Sequence, residues 1–137
     1  MFIKDIIFDV EFTPYSERHY CKDFLKKYSE KKWIETRKTI IDALSRSFLL
    51  QNTKRIDNLR FSQEENLGIF KLDFSVAGTQ FSPKTAGNRA VFSLHNNTGK
   101  IWVLLVYSKG HCDKIHSETQ WILEQIKANF PEYRKYC

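Results

Sequence analysis

The first half of the chain changes from an extended to a helical hydrophobic pattern. Residues 6–12 alternate apolar and acidic positions, and this period of two predicts a half-buried strand. Thr13 and Pro14 then form a helix start, with a capping hydroxyl followed by proline at the first helical position. Aromatic side chains recur four residues apart and predict the core stripe of that helix: Tyr20, Phe24 and Tyr28. A second helix is predicted over residues 30–50, with a core face made of Trp33, Ile40, Ile41, Leu44 and Phe48.

The second half has the pattern of an antiparallel sheet followed by a helix. Residues 52–66 are polar and are interpreted as a connection, and residues 77–88 are interpreted as a loop from their glycine, proline, serine and asparagine content. Three apolar segments predict strands, at 69–76, 89–94 and 101–107, with a tight turn at 96–99. The last of these is apolar on both faces, which predicts the central and most buried strand. Ser117 and Gln120 form a capping box that begins a last helix, and Pro131 ends it.

The order strand, two helices, three strands, helix predicts an α+β fold. We expect an antiparallel-rich four-stranded sheet with an N-terminal helical hairpin and a C-terminal helix, all in one domain over residues 1–137. The helices are expected to cover one face of the sheet, which would leave the other face at least partly open.

Composition narrows the classes of function. The formal net charge is +6, which attracts polyanions in a salt-dependent way without establishing that one binds. Three cysteines, Cys21, Cys112 and Cys137, have spacings that fit no metal motif and indicate reduced thiols in a cytoplasm. Cys112 beside His111 is poorly placed for thiol activation, because neighbours on an extended segment point to opposite faces. No segment has the length and apolarity of a membrane span, and no cofactor or metal is expected.

Basic and aromatic side chains are expected to converge on the open face of the sheet. Tyr107 and Lys109 lie two residues apart and so share a face. The full set is Lys71, Lys84, Arg89, Tyr107, Lys109 and His111. Cations stabilise the charge that builds on a phosphodiester during cleavage, and a lysine or histidine with a lowered pKa can remove a proton from a 2′-hydroxyl. Each of these residues also has an ordinary interpretation as a solvated surface side chain.

Four segments carry a resemblance to a known family. They are IFKLDFSVAG (69–78), PKTAGNRAVF (83–92), GKIWVLLVYSKGH (99–111) and SETQWILEQIKANF (117–130). In this order they resemble the RelE/ParE toxin superfamily, particularly its HigB-like branch. The resemblance covers about half of the chain in detail, while the first half agrees in layout.

The resemblance implies a microbial-RNase-like sheet and a metal-independent endoribonuclease that cleaves mRNA on the ribosome, with a cognate antitoxin as partner. By motif, the implied catalytic residues are Lys71, Arg89, Tyr107 and Lys109. Arg89 would hold the scissile phosphate, Lys71 and Lys109 would act as base or stabilise charge, and Tyr107 would orient or stack on a base. Further RNA contacts are assigned to Lys84, Arg60 and His111.

Two departures from the family pattern keep other functions open. Asp73 stands where the family usually has arginine, and Phe92 and Leu94 replace tyrosines that often follow Arg89. The alternatives are a gyrase inhibitor of the ParE type and a catalytically degenerate protein of the same fold that only binds RNA.

Overall fold

The computed structural model describes residues 7–47, 55–76, 87–108, 110, 112 and 116–137. Within them the chain is α+β, as predicted. Its elements are β1 (Asp9–Phe12), α1 (Pro14–Lys27), α2 (Glu30–Ser45), β2 (Ile56–Ser62), β3 (Leu67–Phe74), β4 (Asn88–His95), β5 (Lys100–Ser108), α3 (Glu118–Asn129) and a 3₁₀ helix (Pro131–Tyr136). None of the helices in these ranges combines the length and apolarity needed to cross a bilayer.

The helix starts follow the capping rules. The Thr13 hydroxyl accepts from the backbone N–H of Ser16 at 3.2 Å, and Pro14 opens α1 as predicted. Ser29 caps α2 in the same way, and the predicted capping box of Ser117 and Gln120 is present at α3. The helix α2 ends at Ser45 instead of extending to residue 50. Phe48 of its predicted core face lies outside the described residues.

The sheet has five strands where four were predicted. Their order is β1-β5-β4-β3-β2, with β1 parallel to β5 and the other pairs antiparallel, so the sheet is mixed. The additional strand, β2, lies within the segment interpreted as a polar connection. It forms one edge of the sheet and its side chains are exposed or half-buried, so it lacks the apolar alternation that identifies a strand. The middle strand is β4, not β5 as predicted.

The prediction of an open sheet face is wrong, because both faces are covered. One core cluster joins α1 and α2 to the sheet, and its members include Trp33, Leu44 and Phe92. A second cluster joins α3 and the 3₁₀ helix to the opposite face through Ile122 and Tyr133. Besides Lys71 and Asp73, the opposite face carries apolar side chains: Leu67, Ile69, Val91, Leu104 and Leu105.

A β-bulge in β5 decides which face the end of that strand presents. Val91 of β4 pairs with Leu105, but the next residue, Phe92, pairs with Val103, which leaves Leu104 as the extra residue. Val103 therefore packs on the α2 side, whereas Leu104 and Leu105 both pack on the α3 side. The bulge reverses the alternation and turns Tyr107 toward α3.

Candidate functional site

Charged residues form two rows across the α3-facing side of the sheet. Asp73, Arg89 and Tyr107 are direct cross-strand partners on β3, β4 and β5. Lys71 lies one row further along β3 and is paired with Asp57 of β2. The helix α3 begins above these rows with Glu118. We call the five residues Lys71, Asp73, Arg89, Tyr107 and Glu118 the ion-pair cluster.

The carboxylate of Glu118 is the centre of the ion-pair cluster. The Tyr107 hydroxyl donates to Oε2 at 2.5 Å, and Nε of Arg89 lies 3.5 Å from the same oxygen. The ammonium of Lys71 lies 3.5 Å from Oε1. Three strands thus each place one group near a single anion: Lys71 and Tyr107 donate hydrogen bonds to it, and Arg89 forms an ion pair with it, a geometry that suits any oxyanion of similar size.

The pair between Arg89 and Asp73 is the most buried part of the ion-pair cluster. Their side chains are 6% and 5% exposed, and Nε of Arg89 lies 3.0 Å from Oδ1 of Asp73. These two atoms form an ion pair, but their geometry is not that of a hydrogen bond. Arg55 adds a second guanidinium, donating to the backbone carbonyl of Asp73 at 3.4 Å. The cations that were expected to be free for a phosphate are therefore balanced by carboxylates.

The pKa values of the two carboxyl groups in the ion-pair cluster, Asp73 and Glu118, are shifted in opposite directions. Burial raises the pKa of Asp73 above its usual value, and the nearby Arg89 and Lys71 only partly oppose this. Burial also favours neutral Glu118, but the Tyr107 hydrogen bond and the two cations outweigh it, so the pKa of Glu118 is lowered. Burial and then the bond to Glu118 raise the pKa of Tyr107, which keeps its hydroxyl protonated as a donor. Glu118 is thus the stable anion of the ion-pair cluster.

Comparison with known proteins finds no match. No protein-family model, no curated protein and no solved structure is similar to this chain. The resemblance to the RelE/ParE superfamily therefore depends on its sequence motifs alone.

The structure brings some of the predicted site residues together. Lys71, Arg89 and Tyr107 meet around Glu118. Arg60 does not join them: it is exposed on β2, where it donates to the neighbouring carbonyl of Leu59. Three further site residues, Lys84, Lys109 and His111, lie outside the described residues. The roles assigned to all seven stay predictions.

Sequence reasoning missed Glu118, although a signal for it was present. The capping box from Ser117 to Gln120 predicted the start of α3, and Glu118 occupies the first position after the cap. An acid in the first helical turn usually stabilises the helix dipole, so nothing marked this one as a partner for sheet cations. Within the described ranges no group of histidine, cysteine and acidic side chains is arranged to hold a metal ion.

A second polar cluster, Ser93, His95 and Tyr133, resembles a serine–histidine pair but has no route to a substrate. Ser93 Oγ lies 3.2 Å from Nε2 of His95 and 2.9 Å from the Tyr133 hydroxyl, which is 3.0 Å from the same Nε2. Ser93 is completely buried. Because a buried hydroxyl cannot reach a substrate, we interpret the cluster as a polar attachment of the 3₁₀ helix to β4.

This attachment predicts that acid destabilises the fold. Burial lowers the pKa of His95 below its usual 6.5, so the unfolded chain takes up a proton at higher pH than the folded chain. Stability is therefore complete above 6.5 and is lost as the pH falls toward the folded pKa. We expect the midpoint of thermal unfolding to fall between about pH 7.5 and about pH 5. The fall should be smaller in His95→Gln but not in His19→Gln, whose histidine is exposed. Equal falls in both variants would contradict the assignment.

Proposed function

We propose that this chain is an RNA-directed toxin of the RelE/ParE type that cleaves mRNA without a metal ion. The observation that supports the proposal is the convergence of Lys71, Arg89 and Tyr107, from three strands, on one carboxylate. Because a phosphodiester is also an oxyanion, Glu118 marks the position that a scissile phosphate would take. Entry of the phosphate then requires the Glu118 side chain to leave Lys71, Arg89 and Tyr107.

The chemistry proposed for this site is transfer within the RNA chain. The 2′-hydroxyl loses its proton to a base and its oxygen attacks phosphorus, while the bond from phosphorus to the 5′-oxygen breaks. A 2′,3′-cyclic phosphate forms and the leaving 5′-oxygen takes up a proton. Arg89 and Lys71 stabilise the charge on the phosphoryl oxygens, and the Tyr107 hydroxyl donates to one of them. Lys109 is proposed as the base or as a further cation.

The unbalanced positive charge of the described residues lies elsewhere, at the tip of the helical hairpin. There, five lysines accompany two acids, Asp23 and Glu30, between residues 22 and 32. The lysines are Lys22, Lys26, Lys27, Lys31 and Lys32. None of the five forms an ion pair with a described residue, and four of them are exposed. We propose that this basic tip attracts RNA in the cytoplasm, on the ribosome, and that an acidic antitoxin segment competes for it.

One observation favours a second candidate, an RNA-binding protein without cleavage. Asp73 stands where the family usually has arginine and lies buried against Arg89 at 3.0 Å. A phosphate beside Arg89 would therefore meet a second negative charge that burial keeps close. The proposed gyrase inhibition has no comparable support in the described geometry.

The test of the proposal is cleavage of mRNA in a translating extract, with cut sites mapped by primer extension. An RNase toxin leaves discrete new 5′ ends within minutes of addition, whereas an RNA-binding protein blocks translation and leaves the transcript whole. A gyrase inhibitor leaves the transcript whole and changes the supercoiling of a plasmid. Intact mRNA together with normal translation would rule out the proposal and the second candidate.

Replacing Glu118 should open the anion position. In Glu118→Gln the carboxylate charge disappears while the side chain keeps its size, so an incoming anion meets the Lys71 and Arg89 cations without a competing charge. We expect sulfate to bind about tenfold tighter or more, because like charges a few ångströms apart repel by about 1 kcal/mol or more near a protein surface. Calorimetric titration measures this, with Glu124→Gln on the exposed side of α3 as control. Equal sulfate affinity in both variants would show that Glu118 holds no ligand position.

A further inference from the structure

A cleft lined by aromatic side chains lies between α1, the end of β5 and α3. It is open on one side and has a volume of about 160 Å³. An enclosed apolar cavity of about 150 Å³ accepts a benzene ring, so a compact organic group of that size fits the cleft. Half of the described lining residues carry rings: Tyr15, His19, Tyr20, Tyr107 and Trp121.

The rings form two groups that a ligand in the cleft can reach. On α1 the rings of Tyr15 and His19 lie 4.1 Å apart at 32°, and across β5 and α3 the rings of Tyr107 and Trp121 lie 4.9 Å apart at 57°. Trp121 is half-buried and His19 is exposed. The face of an aromatic ring carries negative potential and attracts a cation. The Tyr107 hydroxyl donates to the Glu118 carboxylate at 2.5 Å, which shifts electron density toward the ring and strengthens that attraction.

The fixed charge in the lining of the cleft is negative. Asp23 contributes a carboxylate from α1, whereas no lysine or arginine is found among the described residues that line the cleft. Burial first, and then the neighbouring Tyr28 and Asp23, raise the pKa of Tyr20, so the charge of Asp23 is felt at the wall. On the far side of Tyr107, the ion-pair cluster combines two cations with two carboxylates and adds no net charge. The electrostatics of the lining therefore favour a cation over an anion.

The hydrogen-bonding groups of the cleft do not form a pattern that selects one polar ligand. Donors such as the Trp121 indole N–H occur together with acceptors such as the Gln125 amide oxygen. The Ser16 hydroxyl already donates to a backbone carbonyl at 2.8 Å, and the Tyr15 hydroxyl accepts from Asn129 at 3.1 Å. A quaternary ammonium group has no N–H to donate and no lone pair to offer, so it needs none of these groups.

From these features we infer that the cleft binds a quaternary ammonium group. Aromatic rings that surround such a group are the usual way in which proteins recognise choline and methylated lysine. A trimethylammonium group is smaller than a benzene ring and fits the cleft, and the open side lets the rest of the ligand extend outward. The same chemistry is present in a small molecule of the choline type and in a trimethylated lysine side chain. The inference goes beyond the proposed function and does not depend on RNA cleavage.

Titration of the whole protein with choline at constant ionic strength tests the inference. NMR of the ligand methyl signal gives the affinity, and the indole N–H signals of the three tryptophans show where the ligand binds. The control ligand is the neutral alcohol in which a carbon atom replaces the ammonium nitrogen of choline, because it has the same shape without the charge. We expect choline to shift the Trp121 signal and to bind about 5- to 30-fold more tightly than the alcohol.

Two variants with matched controls locate the site. Trp121→Leu removes the ring but keeps an apolar side chain, and it should weaken choline about 5- to 30-fold. Trp102→Leu, at a half-buried tryptophan outside the cleft, should leave the affinity unchanged. Asp23→Asn removes the carboxylate charge at an exposed position, so it spares the core, and it should weaken choline several-fold without affecting the alcohol. Asp42→Asn, at an exposed acid on α2, is its control.

The outcomes decide both the site and the source of its ligand. Equal affinity for choline and the alcohol, no saturable binding, or equal effects of Trp121→Leu and Trp102→Leu would overturn the inference. Tighter binding of uridine than of choline at the Trp121 signal would also overturn it, because the rings would then stack on a base. If a peptide with trimethylated lysine binds more tightly than choline, the ammonium site stands and its ligand is a peptide. The reverse order assigns the site to a small molecule.

Discussion

Arg89→Ala should lower the free energy of unfolding by about 3–5 kcal/mol, because the substitution leaves the carboxylate of Asp73 buried without its closest cation. The side chains of both residues are almost fully enclosed, at 6% and 5% exposure, so solvent screens the loss very little. Urea unfolding measures the change. Lys127→Ala is the control: its pair with Glu124 is exposed and should be worth no more than about 0.5 kcal/mol.

The double variant Asp73→Leu/Arg89→Met completes this experiment. Because it removes both charges and fills the space with apolar groups, it should recover most of the stability that Arg89→Ala loses. A stable Arg89→Ala protein would contradict the burial of the pair. The prediction also has a consequence for tests of toxicity: loss of growth arrest in an Arg89 variant would follow from unfolding as well as from loss of catalysis, so Arg89 alone cannot identify the site.

The sequence correctly predicted those features of the fold that depend only on contacts between residues close together in the chain. Thr13 with Pro14, and Ser117 with Gln120, determine helix starts through hydrogen bonds within one turn, and both were predicted correctly. The strand β2 escaped prediction because an edge strand needs no apolar alternation when its neighbour supplies the hydrogen bonds. The burial of the second sheet face was also not predicted. The charged residues Lys71 and Asp73 made this face look polar, although Ile69 on the same strand is apolar.

The candidate site could be predicted in part only, because its geometry depends on contacts between distant segments. Lys71, Arg89 and Tyr107 were expected on one face of the sheet and do share a face, but the pairing of Tyr107 with Lys109 did not say which face that is. The bulge at Leu104 reverses the alternation of side chains along β5 and so determines the face on which Tyr107 lies. No residue in the segment IWVLLVY indicates that a bulge is present. The carboxylates that balance the cations come from different elements, Asp73 from β3 and Glu118 from α3. Charge balance across elements is a tertiary property that a count of basic residues does not reveal.

Lys71 is the residue whose replacement best tests cleavage, because removing its charge leaves no buried carboxylate without a partner. Its ammonium lies 3.5 Å from Glu118 and 3.6 Å from Asp57. Without it, Glu118 retains Arg89 and the Tyr107 hydroxyl, and Asp57 is largely solvated. In Lys71→Met, which keeps the length of the stem, we therefore expect the thermal midpoint to change little.

Cleavage by Lys71→Met should fall about 100- to 1000-fold, the usual loss when one preorganised donor to a developing oxyanion is removed. Primer extension in the translating extract gives the rate. Lys100→Met is the matched control: Lys100 also lies on the sheet and pairs with two acids, Asp9 and Glu11, at the opposite end of β5. It makes the same change in net charge, so an equal loss in both variants would trace the effect to long-range attraction of RNA. Unchanged cleavage in Lys71→Met would place the reaction outside the ion-pair cluster, since Lys71 supplies the one ammonium that the described residues place beside Glu118.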